Sequence, residues 1–78
     1  MTDLKETLVN IAKAIVEHPD DVCVIEETDG NKVNLTLNVA ESDMGMVIGK
    51  GGKIAKAIRT VMRAAATADG KDVNVEIR

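Results

Sequence analysis

The sequence contains no phenylalanine, tyrosine or tryptophan, and it has one cysteine, one histidine and one proline in 78 residues. Without aromatic rings it has no platform on which to stack bases, as RRM and cold-shock domains do. One cysteine cannot form an internal disulfide bond, and one cysteine with one histidine cannot supply the four ligands of the usual structural zinc sites. We therefore expect a protein of the reducing cytoplasm with no metal and no cofactor.

Long apolar segments are also missing. No run of apolar residues approaches the length of about 20 that a transmembrane helix needs, so we expect no membrane insertion. The start of the chain, Met1 to Glu6, has neither the basic region nor the apolar stretch of a signal peptide. The length predicts a single domain over residues 1–78. Such a chain buries roughly 60% of its unfolded surface, so we expect modest stability, to which a partner or a homodimer would add.

The charged residues are unevenly distributed. The formal net charge is -3, which by itself argues mildly against a nucleic-acid partner. Residues 44–68, however, contain no aspartate or glutamate and hold five of the ten basic residues. An approaching ligand meets the local field of this segment rather than the overall charge. The basic residues of the segment are Lys50, Lys53, Lys56, Arg59 and Arg63.

The first half of the chain predicts a helix followed by a hairpin. Apolar residues at helical spacing between Leu4 and Ile15 indicate an amphipathic helix from about Thr2 to Glu17, and Pro19 ends it at His18. The charged imidazole of His18 would suit the end of this helix. The β-branched run Val22–Ile25 predicts a strand in which Cys23 is buried. A turn at Asp29–Asn31 joins it to a second strand, in which apolar residues alternate from Val33 to Val39.

The second half predicts two helices and a strand. Ser42 or Asp43 can cap a short helix that runs toward Ile48, and glycines then interrupt it. A long helix follows to about Ala68, with Lys56, Arg59 and Arg63 expected opposite its inner stripe. Gly70 ends this helix, and Val73–Ile77 forms the last strand. The predicted inner stripe consists of Ile54, Ile58, Val61 and Ala65.

The predicted order is α-β-β-α-α-β, an α+β fold. A helical crossover joins the last two strands, so we expect them to be parallel, whereas the hairpin is antiparallel. The fold is then a mixed three-stranded sheet with helices packed on one face.

The glycine-rich segment Val47–Ile54 carries the functional information. A P-loop needs four residues between its first glycine and the Gly-Lys pair, followed by serine or threonine, and this segment has neither feature. A dinucleotide fingerprint that begins at Gly49 and Gly51 would need a third glycine at the position of Ile54. The remaining interpretation is a G-x-x-G loop between two helices, at Gly49 and Gly52.

The physical chemistry of this loop suits a phosphodiester ligand. Gly49 can take the left-handed conformation that ends the short helix, and the absence of side chains at Gly51 and Gly52 lets a nucleic-acid backbone approach closely. The first turn of the next helix offers unpaired N–H groups and a partial positive charge. Lys50 and Lys53 add positive charge to the loop and to that first turn.

With matches at Val47, Ile48, Gly49, Gly52 and Ile54, and with the same order of elements, the sequence resembles a type II KH domain. The resemblance implies a loop, residues 49–52, that clamps about four single-stranded nucleotides. Their bases would lie in an apolar groove between the two helices and the last strand. By this resemblance Val47, Ile48, Ile54 and Ile58 form or back the groove, and Lys53 and Lys56 flank it.

The resemblance extends to the small bacterial KH proteins of the KhpA (YlqC-like) family. It covers the junction His18–Val22, the loop at residues 48–53, the run Ile54–Thr60 and the closing Val73–Ile77. It implies a cytoplasmic single-stranded RNA binder and RNA chaperone that forms a homodimer and pairs with a larger KhpB/Jag-type RNA-binding protein. It also implies a role in cell elongation, cell shape and cell-wall homeostasis. Met44 and Met46 depart from the family pattern just before the loop.

Other interpretations remain open. Lys56, Arg59 and Arg63 form a solvated helix face, an outer track for RNA or a surface for a partner. The whole chain could also be a protein-interaction or dimerisation module with little RNA binding of its own, and the loop alone does not distinguish RNA from single-stranded DNA. We expect no enzyme, since no nucleophile–base pair, metal cluster or nucleotide-binding motif survives inspection.

Overall fold

The computed structural model describes residues 3–78, without the side chain of Lys50, and it has the predicted order of elements. In the described part of the chain no helix is long and apolar enough to cross a membrane. Short 3-10 turns at Pro19–Asp21 and Lys50–Gly52 link some of the elements. The helices are α1 (Leu4–Ile15), α2 (Glu41–Ile48) and α3 (Lys53–Ala68), and the strands are β1 (Cys23–Asp29), β2 (Lys32–Asn38) and β3 (Asp72–Ile77).

The three strands form one mixed sheet in the order β1-β2-β3. Strands β1 and β2 pair antiparallel around the predicted turn, with Asp29 opposite Lys32. Strands β2 and β3 pair parallel, as predicted, because α2 and α3 carry the chain back to the starting edge of the sheet. Strand β3 is therefore an edge strand, and one side of its backbone is unpaired with any other strand of the described sheet.

Alternate residues of β2 form the centre of the core. Val33, Leu35 and Leu37 are buried on one face, and Val24 and Val75 from the neighbouring strands lie beside them. Helices α1 and α3 cover this face with their own buried stripes. The predicted packing of helices on one face of the sheet is therefore confirmed. The opposite face carries mostly polar residues, among which Asn34, Asn74 and Glu76 are exposed.

The first strand is longer than predicted, and its predicted burial is wrong. Val24 points into the core, so its neighbours Cys23 and Ile25 point to the open face, where both are exposed. The prediction of a buried Cys23 treated the short apolar run as buried on both faces. In a sheet with helices on one face only, the two-residue period of the strand exposes every second residue, whatever its hydrophobicity.

The buried stripe of α3 is also different from the predicted one. Ile58 is buried as predicted, but Val61 is 51% exposed, while Met62 is fully buried. The partly buried Ile54 and Ala65 lie at the margin of the stripe. Compared with the prediction, the buried stripe is thus shifted around the helix by about one residue. The shifted stripe contains alanines, which allow the helix to approach the sheet closely. Its members are Ala55, Ile58, Met62 and Ala66.

The ends of α1 and α3 follow ordinary capping chemistry. The carboxylate of Asp3 accepts a hydrogen bond from the backbone N–H of Glu6 at 3.1 Å, so Asp3 caps α1, and the predicted start at Thr2 lies outside the described residues. The helix ends at Ile15, two residues before the predicted Glu17. At the end of α3 the backbone N–H of Lys71 donates to the carbonyl of Ala66 at 2.8 Å, which confirms the predicted stop near Gly70.

Asp43 joins α2 to the segment that follows α1. Neither Ser42 nor Asp43 caps α2 as predicted, because the cap residue is Ala40 and it offers no side-chain hydrogen bond. The carboxylate of Asp43 is instead 1% exposed and accepts backbone hydrogen bonds from Glu17 at 3.1 Å and His18 at 3.0 Å. Nδ1 of His18 lies 3.1 Å from the same carboxylate. His18 therefore pairs with Asp43 rather than with the end of α1.

These contacts determine the ionisation of Asp43. Burial raises the pKa of the carboxyl group, but the hydrogen bond from the Glu17 N–H and the contacts with His18 outweigh it, so the pKa lies below its ordinary value. A carboxylate with a lowered folded-state pKa stabilises the fold above its unfolded-state pKa. This stabilisation disappears as the pH falls through the folded-state pKa.

We expect Asp43→Asn to lower the melting temperature most above about pH 5 and progressively less below about pH 4, because the unfolded wild-type chain takes up a proton there while the folded carboxylate, with its lowered pKa, still resists protonation. Melting curves at pH 7, 5, 4 and 3 measure the difference between the two proteins. Glu41 is exposed in the same turn of α2, so Glu41→Gln is the control that removes the same charge without touching these contacts. A difference between wild type and Asp43→Asn that stays constant over this range would contradict the assignment.

The position of the α3 stripe predicts opposite results for two neighbouring residues. Met62→Ala should lower the free energy of unfolding by about 2–5 kcal/mol, because it leaves a cavity under the helix. Val61→Ala should change it by about 0.5 kcal/mol or less, because that side chain is half exposed. Urea denaturation of both variants gives the comparison. Equal losses, or a larger loss at Val61, would show that the helix is turned as the sequence alone predicts.

Candidate nucleic-acid interface

The loop between α2 and α3 turns sharply at Gly49. Its N–H donates to the carbonyl of Gly45 at 2.9 Å, which completes the last turn of α2. Its φ of 68° is positive, as predicted, but its ψ of 175° is extended rather than left-handed. This combination is accessible essentially to glycine alone. A Cβ at this position would also lie 3.4 Å from Cγ1 of Ile54, which packs beneath the loop.

The other two glycines of the loop leave its backbone open. Gly51 has φ 67° and ψ 15°, and Gly52 has φ 70° and ψ 21°, so both are left-handed. A Cβ at either position would meet no heavy atom within 4 Å. Glycine is therefore favoured there by backbone conformation, not by crowding within the protein. The open space leaves room for a ligand to approach the peptide groups.

The N-terminus of α3 differs electrostatically from those of the other two helices. Gly52 is its cap residue and has no side chain to bond the first N–H groups, and its first turn contains no acidic residue. By contrast, Asp3 caps α1, and the first turn of α2 holds Glu41 and Asp43. The positive end of the α3 dipole is therefore not neutralised by a side chain of its own first turn. Lys53 is exposed in this turn and adds a charge.

The basic residues of α3 lie along one flank of its buried stripe, not opposite it. Lys56, Arg59 and Arg63 are all exposed and share one side of the helix. This side faces β3, since Nε of Arg59 donates to the carbonyl oxygen of Val75 at 3.2 Å. The prediction of a position opposite the inner stripe is therefore wrong for Arg59, which the shifted stripe brings to the edge of the sheet, whereas Lys56 and Arg63 are exposed. We call these three residues the basic flank.

The other flank of α3 borders α1 and is apolar. A groove of about 330 Å³ runs between the two helices. The sequence analysis did not predict this groove. The signal for it was the adjacent apolar pair Val61 and Met62: the core accommodates only Met62, so Val61 is left on the surface beside α1. The residues that line it are Ile11, Ile15, Ile54, Ala57, Ile58 and Val61.

The four apolar residues expected at the base groove fall into different places. Val47 is fully buried and Ile58 is 3% exposed, so both can only back a binding surface from within the core. Ile48 is 42% exposed at the end of α2, next to Gly49. Ile54 lines the groove beside α1. The loop therefore stands between two distinct surfaces, a basic one toward β3 and an apolar one toward α1.

One cluster of negative charge lies on the strand farthest from β3. Glu26, Glu27 and Asp29 are exposed on β1, at the edge of the sheet opposite β3. The loop and α3 carry no acidic residue up to Ala68. An anionic ligand is thus favoured at the loop and along the basic flank, and it is repelled at the far edge of the sheet.

Sequence comparisons assign the chain to a family. The family model of the KhpA/KhpB KH domain matches residues 5–77. The chain is 54% identical over 74 residues to the RNA-binding protein KhpA of Clostridium acetobutylicum, an alignment that covers 95% of this chain and 99% of that protein. It is 48% identical to the RNA-binding protein KhpA of Bacillus subtilis, with 99% of this chain and 98% of that protein covered.

A solved structure with a similar fold agrees with this assignment. The crystal structure of Era in complex with MgGDPNP and nucleotides 1506–1542 of 16S ribosomal RNA superposes with a TM-score of 0.69 and 21% identity. The match covers 95% of this chain but 28% of the Era chain, so the likeness concerns the fold alone. The element order, the loop and the family match lead to one conclusion: this chain belongs to the KhpA/KhpB family of KH-domain proteins, and its fold is the type II KH fold.

Proposed function

We propose that this protein binds single-stranded RNA by clamping the phosphodiester backbone at the loop of residues 49–52. One observation carries the proposal: the N-terminus of α3 has neither a side-chain cap nor an acidic residue, and it follows a loop with three positive-φ glycines. Peptide N–H groups at such a helix end are ready donors for a phosphate oxygen. The names of the two KhpA relatives support RNA as the nucleic acid.

The proposed complex uses the residues in separate roles. Gly49, Gly51 and Gly52 admit the backbone of the RNA, while Lys50 and Lys53 neutralise phosphate charge. About four nucleotides would fit at the clamp. Ile48 offers an exposed apolar surface to a base, Val47 and Ile58 support it from within the core, and Ile54 holds the loop from below. The basic flank, Lys56 included, extends the track along α3.

The wider role follows from family membership and is also part of the proposal. We propose a cytoplasmic RNA chaperone, contained in one KH domain over residues 1–78, that works with a larger KhpB/Jag-type protein in cell elongation and cell-wall homeostasis. The proposal assigns no catalysis to the chain. His18, Asp43 and Ser42 lie together, but the Ser42 hydroxyl is 3.4 Å from Nδ1, the same nitrogen that faces Asp43. A serine nucleophile would instead have to bond the opposite ring nitrogen.

The apolar groove between α1 and α3 favours a second activity, self-association. It presents apolar side chains from both helices, and Val61 stands half exposed at its margin. Two copies that pair through this groove would bury Val61 and Ile15 of each chain and leave the basic flank, on the other side of α3, free for RNA. The homodimer and RNA binding are then compatible rather than alternative.

For the clamp, we expect the double variant Lys50→Asp with Gly51→Asp to lose RNA binding by at least tenfold, because it places two carboxylates where phosphate would lie. Fluorescence anisotropy with a labelled single-stranded RNA pool measures the affinity. For wild type, two or three clamped phosphates predict a slope of about -1.4 to -2 in log affinity against log salt. Affinity that does not depend on salt would contradict the clamp.

The control changes the same total charge at a remote place. Lys5 and Asn10 are exposed on α1, so Lys5→Asp with Asn10→Asp should bind RNA nearly as well as wild type. Circular dichroism and thermal melting show whether both variants fold. If the folded loop variant binds as tightly as wild type, the basic flank alone becomes the RNA site.

For the homodimer, we expect Val61→Glu to raise the dimer dissociation constant by at least tenfold, because the carboxylate would be buried at the interface. Size-exclusion chromatography with light scattering, after RNase treatment, gives the mass of each protein. Thr60→Glu places the same charge on the preceding, exposed residue of α3 and should leave the dimer intact. A Val61→Glu protein that remains dimeric would rule out the groove as the interface.

A further inference from the structure

Arg59 occupies a special place in the basic flank. It bridges α3 to the edge of the sheet, where its Nε donates to the carbonyl oxygen of Val75 at 3.2 Å. Asp72 and Arg78, three residues before and after Val75, donate their backbone N–H groups to Asn31 and Leu37 on the β2 side of β3. Successive residues of a strand direct their backbone groups to alternate sides, so the Val75 carbonyl points to the opposite, unpaired side. The hydrogen bond holds the guanidinium in the corner between helix and strand.

The remaining donors of Arg59 are available. A guanidinium has five N–H donors, so the bond from Nε leaves the four on the two Nη atoms. In the part of the chain that the structure describes, no carboxylate forms an ion pair with Arg59. The side chain is exposed, so these donors face solvent. The result is an anchored fork with two parallel N–H groups at its outer end.

The fork lies within reach of an RNA strand held at the loop. Arg59 is seven residues after Gly52, which places it about 10 Å along the axis of α3 from the clamp. It also lies on the β3 side of the helix, where Lys56 and Arg63 precede and follow it. A strand that leaves the clamp along the basic flank therefore brings the edge of a base, and not only its phosphate, to the corner that holds Arg59.

We propose that Arg59 reads the base at this position and selects one that presents two adjacent acceptors, namely guanine or cytosine. Guanine offers O6 and N7 side by side, and unpaired cytosine offers O2 and N3 on its pairing edge. Adenine and uracil place a donor beside each acceptor on these edges, so the fork would bond them through one contact at most. Anchoring by Val75 keeps the two donors parallel before RNA arrives, which suits a planar pair of adjacent acceptors on a base. This inference rests on the proposed RNA binding and adds base selection to it.

The test compares four RNA octanucleotides with alternating U and G, alternating U and C, alternating U and A, or U alone. Wild type should bind one of the first two about tenfold or more tightly than the last two. Arg59→Lys keeps the charge and removes the fork, so it should abolish this preference by weakening the preferred RNA more than it weakens U alone. Arg63→Lys is the matched control on the same flank and should keep the preference.

Each outcome has a distinct meaning. The preferred RNA identifies the base, and replacement of guanine by 7-deazaguanine, which lacks N7, should reduce a guanine preference about as much as Arg59→Lys does. The inference is overturned if Arg59→Lys weakens all four RNAs equally, which is the behaviour of a phosphate contact or a structural role. It is also overturned if wild type shows no preference or if the variant keeps it. Should wild type bind none of the four RNAs, the proposed function itself fails.

Discussion

The packing of one helical stripe against one sheet face determines where every other surface lies. Helix α3 buries Ala55, Ile58, Met62 and Ala66, and the two alanines let it lie close to the sheet. With that stripe in place, the helix has no freedom to rotate. One flank must face the edge of β3 and the other must face α1, so the basic residues and the apolar groove are separated by the width of a helix. The loop at the N-terminus of α3 stands between them.

The division of charge follows the same geometry. A protein with a net charge of -3 can still attract an anion, because the field near a surface is dominated by the nearest charges. Here Glu26, Glu27 and Asp29 lie on β1, at the edge of the sheet opposite β3, while α3 has no acidic residue. The field around α3 is therefore set mainly by its own basic residues.

Much of the fold could be predicted from the sequence, because its signals are local. The strict alternation in β2, the turn at Gly30 and the break at Gly49 each depend on a few neighbouring residues. The errors concern choices that only tertiary packing makes. Val61 and Met62 both fit a helical stripe, and the approach of α3 to the sheet decides between them. Likewise Cys23 belongs to an apolar run, and only the absence of a second helical layer in the described fold exposes it.

The candidate site could be predicted from the sequence to a similar extent: its loop was found, but its long-range contacts were not. Gly49 has the positive φ angle that its position suggested, although it is extended in ψ, whereas the left-handed conformation of Gly51 and Gly52 was not predicted. The contact between Arg59 and Val75 could not be foreseen, since it joins residues 16 positions apart through the edge of a sheet. The same holds for Asp43, whose hydrogen-bond partners lie 25 and 26 positions away. Long-range polar contacts leave no periodic trace in a sequence.

The exposed thiol of Cys23 has a consequence for handling the protein. It lies on the open face of the sheet, beside the exposed Ile25, and the chain has no second cysteine with which it could pair internally. In air, the oxidation product available to two copies is therefore a covalent dimer linked through β1, at the face opposite α3. Such a dimer would have the same mass as a pair formed through the helices but a different shape. Reducing agent separates the two species, since it cleaves one and leaves the other untouched.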